Sequence, residues 1–338
     1  YFMNLKYNKV ELEISSDCNA ACPGCARTQN ADILKPQNLK LEQIKQWFPK
    51  PAGVKFKFCG VLGDPIVNPE CLEITEYLQS NDAQVQYSTN GGRNSADWWS
   101  KLGKLKIKVN FCIDGTNTNH LYRVNTNYEI IKRNMKAYAD AGGEATWIYI
   151  IFDHNEHELN EAKQLANNLG FKFATRTGMR NSYHDWIAQV GKKNTKQEVV
   201  ITTTGKKEHS KKSVIQELDN FINSEDKTKE QTNEIISSID CKFYHDKEIF
   251  IGADSTLWPC CFLYDSAFKN KEKILNKYSI FPKNWNNLNA HSIEEILSTD
   301  YYQKLLQDSW DPTHDLHISR CIRSCAKNRA YHNEIAFT

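Results

Sequence analysis

No stretch of this 338-residue sequence approaches the apolar length that a membrane-spanning helix requires, and no basic segment followed by a hydrophobic one stands near its start. Neither a bilayer span nor an export signal is expected, and the protein reads as cytoplasmic. Charge of one sign is missing as well. The 43 Lys and Arg against 41 Asp and Glu leave a formal charge of +2, too little to draw the chain to nucleic acid or an anionic membrane. No internal repeat is visible. With no export route, the eleven cysteines do not read as a disulfide framework; they point to metal or redox chemistry in a reducing compartment.

Those cysteines divide unevenly. Cys18, Cys22 and Cys25 form a C-x3-C-x2-C group just after the apolar alternation Val10, Leu12, Ile14, which places them in a loop following a first β-strand. Three thiolates can hold three irons of a [4Fe–4S] cluster and leave the fourth iron free for another ligand. A zinc site is the competing reading, but it needs a fourth Cys or His nearby and none comes before Cys59. Spacing and position resemble the radical S-adenosylmethionine (radical SAM) superfamily. The resemblance implies that the free iron chelates the amino and carboxylate groups of SAM, and that one electron cleaves SAM to a 5′-deoxyadenosyl radical. Cys59, Cys71 and Cys112 stand alone and read as small buried apolar residues.

From Val10 to about residue 178, short apolar runs alternate with helical patterns. Strands are expected over Val10–Ile14, Val54–Phe58, Val85–Ser88, Ile107–Ile113, Trp147–Phe152 and Phe171–Ala174, and helices over Leu41–Phe48, Cys71–Leu78, Tyr128–Ala139 and Glu156–Leu169. Strands separated by helices imply a parallel sheet with crossover connections. The fold class is therefore α/β, a partial (β/α)6 barrel of the TIM type, with ligands at the carboxyl ends of the strands. Three segments are expected: a barrel over 1–178, a bridging segment over 179–238 that is helical around Val214–Ile222, and a small C-terminal domain over 239–338. The bridging segment carries paired lysines such as Lys192-Lys193 and Lys211-Lys212. No aromatics interleave with them, so they read as a solvated face and nucleic acid is not an expected partner.

Three strand ends add to the resemblance. Gly63-Asp64-Pro65 after the second strand looks like the family's glycine-rich turn, with Asp in place of Glu; Gly63 and Asp64 would then receive the SAM ammonium. Ser88 and Asn90 at the end of the third strand look like the element that hydrogen-bonds SAM. Cys112 and Asp114 on the fourth strand resemble an S-x-D-G element, with a thiol in the serine position. Either Arg123 or Arg133 would pair with the SAM carboxylate, a match for a planar guanidinium. Gly24 replaces an aromatic that often packs on adenine, so that contact would come from the fifth strand, at Ile151 or Phe152.

Behind the barrel, the run from Glu248 to Cys261 reads as a β-hairpin with a polar turn at 253–255, and a helix is expected over Ile293–Leu306. Cysteines flanking this hairpin, followed by Cys321 and Cys325, resemble the SPASM/twitch extension of radical SAM enzymes. That resemblance implies one auxiliary [4Fe–4S] cluster on Cys241, Cys260, Cys321 and Cys325, with Cys260 and Cys261 undecided between them and zinc as the alternative metal. The implied enzyme abstracts hydrogen from a substrate C–H bond, with the auxiliary cluster taking up an electron or binding substrate. A peptide or protein substrate and a sugar or cyclitol are the two substrate classes, and a cluster-binding regulatory protein that does not cleave SAM is the alternative outside catalysis. Expected partners are an electron donor such as flavodoxin or ferredoxin and, for a leader-bearing peptide, a separate recognition protein. For proton transfer the sequence offers Tyr183, His184 and Asp185, near Arg180, just past the sixth strand.

Overall fold

The structure, a computed structural model, describes residues 6–177, 186–190, 197–201, 209–269 and 281–329. Arg180, Tyr183, His184 and Asp185 lie outside the described residues. The chain divides into two compact units: one comprises Glu11–Gly205 with Gly252–Asp254, the other Tyr1–Val10, Lys206–Ile251 and Ser255–Thr338.

In the first unit six strands stand side by side in chain order: β1 (Lys9–Leu12, which begins in the other unit), β2 (Lys55–Phe58), β3 (Gln84–Thr89), β4 (Lys108–Cys112), β5 (Glu144–Ile151) and β6 (Lys172–Thr177). All adjacent pairs from β2 to β6 are parallel. The connections carry α1 (Ala26–Gln29), α2 (Leu41–Trp47), α3 (Cys71–Ser80), α4 (Ala96–Lys104), α5 (Asn119–Tyr122), α6 (Tyr128–Asp140) and α7 (Leu159–Asn168). All six strands fall where the alternation predicts them.

Period-two patterning assigns the two faces of this sheet. Phe56, Phe58, Tyr87, Phe111 and Trp147 are fully buried on one face. That face meets the helices: Phe111 lies 5.2 Å from Trp99 of α4 and 5.8 Å from Tyr138 of α6, and Phe56 lies 4.9 Å from Phe48 at the end of α2. In the other phase the central positions of β2, β3 and β4 and the start of β5 are polar. Register sets Lys57 beside Gln86, Ser88 beside Asn110, and Asn110 beside Thr146. A closed barrel usually fills its interior with branched apolar side chains, so a polar interior row marks space kept for something other than core.

Helix α4 was not expected. Ser95 starts it, its Oγ accepting from Trp98 N at 3.2 Å, and Trp99 then anchors it. Gly103 lets α4 approach α6, since a Cβ there would stand 2.6 Å from the Tyr138 carbonyl oxygen. Within the expected bridging segment, β7 (Trp186–Val190) and β8 (Gln197–Ile201) form an antiparallel pair.

The second unit contains α8 (His209–Asn223), α9 (Lys229–Ser237), α10 (Lys242–His245), the antiparallel strands β9 (Glu248–Ile251) and β10 (Leu257–Trp258), and α11 (Cys261–Lys269). A further helix spans Ser319–Arg329. The helix expected over Ile293–Leu306 is broken. It runs as Ile293–Leu297, capped by Ser292 and Glu295, and then widens into a π-turn at Tyr301–Leu305. A wider turn brings neighbouring residues closer to one side, which suits two adjacent tyrosines that are both buried. Tyr302 ties this turn to β10 through a hydrogen bond from its hydroxyl to the Leu257 carbonyl, 3.0 Å. No helix among the described residues is long and apolar enough to cross a membrane.

Candidate functional site

The loop from β1 to α1 presents the front cysteines. Asp17 fixes its entry: Cys18 N donates to Asp17 Oδ1 (2.8 Å), and Arg27 Nη2 pairs with the same oxygen (2.9 Å). Its middle is pinned by a hydrogen bond from Ala21 N to the Val124 carbonyl, 2.9 Å, and a tight turn returns Cys25 N to the Cys22 carbonyl, 3.0 Å. Ala20 and Cys22 pack with Tyr122, Val124 and Phe152 in one buried cluster, against which Cys18, Cys25 and Ile150 also lie. Burial, together with the Asp64 charge and the two neighbouring thiols, pushes the Cys18 thiol far above its usual range. A Cys18 thiol that resists ionisation in the protein alone is what binding to a metal centre relieves, because the metal displaces the proton. The donor set thus fits an iron–sulfur cluster.

The predicted turn after β2 serves this loop directly. A Cβ on Gly63 would sit 2.0 Å from the Ser15 carbonyl oxygen and 2.7 Å from that of Asp17, so glycine is required for contact between two backbones. Asp64 N donates to the Asp17 carbonyl (2.8 Å). The Asp64 carboxylate is buried and accepts from Thr89 Oγ1 (2.7 Å), Ile66 N (3.2 Å) and Asn90 N (2.8 Å). Its first task in this structure is to join the β2 turn to the end of β3.

Asn90 lies at the centre of the site. Its Nδ2 donates to Asn19 Oδ1 (3.0 Å) and approaches Cys18 Sγ at 3.5 Å, while its Oδ1 accepts from Gly92 N (2.8 Å). Asn19, which motif reading passed over, completes a reciprocal amide pair with it, 3.3 Å. One layer deeper on the same face, Ser88 Oγ and Asn110 Nδ2 are buried without a hydrogen-bond partner.

The structure separates the two arginines. Arg123 Nε donates to Asp114 Oδ2 at 2.7 Å, and the fully buried Asp114 also accepts from Ile150 N (2.8 Å). Its chain neighbours Tyr122 and Val124 pack in one cluster with Ala20 and Cys22, so Arg123 stands beside the cysteine loop. Arg133 points elsewhere, to the Asn94 carbonyl and to Asn134 Oδ1. Phe152 is buried against the loop, with Tyr122 packed on it at 4.6 Å and His154 stacked on it at 5.3 Å and 10°. Sequence reasoning missed His154. It is half-buried, burial lowers its pKa, and neither ring nitrogen has a hydrogen-bond partner.

In the second unit, Cys241, Cys260, Cys321 and Cys325 line a partly open cavity, with Lys242, Trp310 and apolar residues completing the wall. Cys260 is the member of the adjacent pair that lines it. Burial pushes the Cys260 thiol up to about 12, against the backbone N–H groups of Leu263 and Phe262 in the first turn of α11, which donate to its sulfur. Four soft donors around an apolar hollow fit an iron–sulfur cluster. Among the described residues no three His, Cys, Asp or Glu side chains converge as a site for a single metal ion.

Fold and site together define an α/β barrel with one thiol group at its strand ends and a second in a separate unit. Residues 12–166 match the model of the Radical SAM superfamily, a match that supports a [4Fe–4S] cluster and SAM as cofactors. Mycofactocin maturase MftC of Mycolicibacterium smegmatis is 24% identical over 163 residues, which are 47% of this chain and 41% of that protein. The match thus spans less than half the length of that curated relative. Among solved structures, native anSMEcpe with bound AdoMet and Cp18Cys peptide superposes with a TM-score of 0.53 at 13% identity, covering 96% of this chain and 91% of that one. A hexahistidine-tagged form of anSMEcpe with bound AdoMet gives 0.52 at 15% identity, over 87% and 78%. This likeness is one of fold, and it extends through the C-terminal unit.

Proposed function

We propose that the protein is a radical SAM enzyme that modifies a peptide, with a SAM-binding cluster on Cys18, Cys22 and Cys25 and an auxiliary cluster on Cys241, Cys260, Cys321 and Cys325. The observation that carries the reading is the front loop, where three thiols share one apolar cluster with Phe152 and Tyr122 and have Asn90 and Arg123 beside them. When bound, the cluster and SAM supply a carbon-centred radical able to take hydrogen from an unactivated C–H bond. The protein's part is orientation and shielding. Arg123, held by Asp114 through Nε, offers its remaining guanidinium N–H groups to a carboxylate, the role for which Arg133 is badly directed. Asn90 steadies the Cys18 side of the loop, and Phe152 with Ile150 offers an apolar surface for a purine where Gly24 offers none. The polar row of Ser88 and Asn110 faces the substrate side with hydrogen-bonding groups still to be satisfied.

A peptide is favoured as substrate because the matching curated relative is a maturase, and one solved structure of the same fold holds a peptide together with AdoMet. An external one-electron donor is required for turnover.

The test compares anaerobically reconstituted wild type with Cys18→Ala/Cys22→Ala/Cys25→Ala and with Arg123→Lys. Iron and sulfide are counted, and 5′-deoxyadenosine is assayed after dithionite and SAM. The triple variant is expected to lose about half its iron and all SAM cleavage. Arg123→Lys should keep its iron and bind SAM roughly tenfold or more weakly, the cost of about one charge-assisted hydrogen bond. Wild type that holds both clusters but never cleaves SAM would sink the proposal.

A further inference from the structure

The wall of the four-cysteine cavity contains two polar groups that are not cluster ligands. Trp310 is 8% exposed, and its indole N–H makes no hydrogen bond of ordinary geometry in the protein. Leaving a buried donor without an acceptor costs about 1–3 kcal/mol, so such a group calls for a reason. The indole lines the same cavity as the four cysteines, so a cluster sulfur held there is the acceptor the N–H calls for. The second group is Lys242. It lines the same cavity and pairs with Glu248 at 3.1 Å, both side chains buried. Of this ion pair Lys242 lines the cavity and Glu248 does not, so the positive end is the one turned to the sulfurs.

We propose that the Trp310 indole N–H and the Lys242 ammonium raise the reduction potential of the auxiliary cluster, so that it serves as the acceptor of an electron from the substrate. The inference rests on the two-cluster reading above. A donor N–H at a cluster sulfur and a positive charge beside it both stabilise the reduced, more negative state. In the step this assists, a substrate carbon radical is oxidised by one electron and loses one proton, and the cluster is reduced by that electron. The apolar remainder of the wall strengthens both effects, because screening by water is weak there.

The test uses the full-length chain carrying Cys18→Ala/Cys22→Ala/Cys25→Ala, so that one cluster is observed, with iron counted and the midpoint followed by EPR during a dithionite titration. Adding Trp310→Phe removes the N–H and keeps an aromatic ring. The expected result is retained iron with a more negative midpoint. Poised at the parent midpoint, the reduced-to-oxidised ratio should fall about three- to tenfold, tenfold being about 59 mV for a one-electron couple. Retained iron with an unchanged midpoint overturns the inference and leaves the cluster assignment standing. If Trp310→Phe sheds iron, Lys242→Gln/Glu248→Gln carries the same test, since it removes both charges together; again a lower midpoint supports the inference and an unchanged one overturns it. A parent variant that binds no iron overturns the two-cluster reading, and the inference with it.

Discussion

Glu13 has no exposed surface, and its Oε1 accepts from Leu62 N at 2.6 Å and Gly63 N at 3.3 Å. Burial is the largest influence on it and raises its pKa to about 7, against the help of those backbone donors. An acid whose folded pKa lies above its unfolded value binds protons more tightly when folded. Its contribution to stability is present at acidic pH, below its ordinary range, and is lost as pH rises towards 7. Glu13→Gln keeps an oxygen for Leu62 and Gly63 and removes the buried charge. The variant should unfold at a higher temperature than wild type at pH 8, by an amount on the order of 3 kcal/mol at most, and differ little at pH 4. Thermal melts at the two pH values check this, and equal shifts at both would refute the assignment. At this scale the sequence was legible where chemistry is local, as with the three front thiols. It could not choose between Arg123 and Arg133, or between Cys260 and Cys261, because each choice depends on partners distant in sequence: Asp114, and a cavity built from four segments.

Among the elements, strands were read most readily, since period-two alternation with one face under helices is strongly written in Val10, Leu12, Ile14 and their counterparts. Helix α4 escaped because its apolar anchors are few: Trp99 and Leu102 are buried among Lys101, Lys104 and Gly103. The π-turn escaped because its cause is tertiary, the packing of Tyr301 and Tyr302 against Phe243, Phe281 and Trp285. The turn after β2 was recognised, but for a different reason from the one the structure gives. Gly63 had been expected to admit a ligand, whereas its missing side chain admits the backbone of the cysteine loop. Gly63→Ala must therefore displace the segment carrying Cys18. It should lower stability by about 1–3 kcal/mol and release front-site iron more readily. Gly53→Ala is the control, for Gly53 has a positive φ of 77° but nothing within 4 Å of a new Cβ. It should cost stability without touching iron retention, and equal iron loss in both variants would count against the explanation.

On the scale of the whole molecule, the two thiol sets differ in how they are gathered. The front set comes from one loop between Cys18 and Cys25, already shaped by Asp17, Arg27 and the Val124 carbonyl. The back set collects Cys241 before α10, Cys260 before α11, and Cys321 and Cys325 from the Ser319–Arg329 helix. An inorganic body bound to all four would act as a cross-link, closing long loops whose entropy the unfolded chain would otherwise keep. Removing iron should then leave the barrel unit melting much as before, while the C-terminal unit melts earlier; amide exchange on metal-free and metal-loaded protein checks this, and uniform loss of protection would contradict it. The order of synthesis follows as well. A ribosome will have made every front ligand once Cys25 is added, but the back site cannot close until the helix carrying Cys321 and Cys325 has emerged, so its assembly must wait long after the front loop is complete.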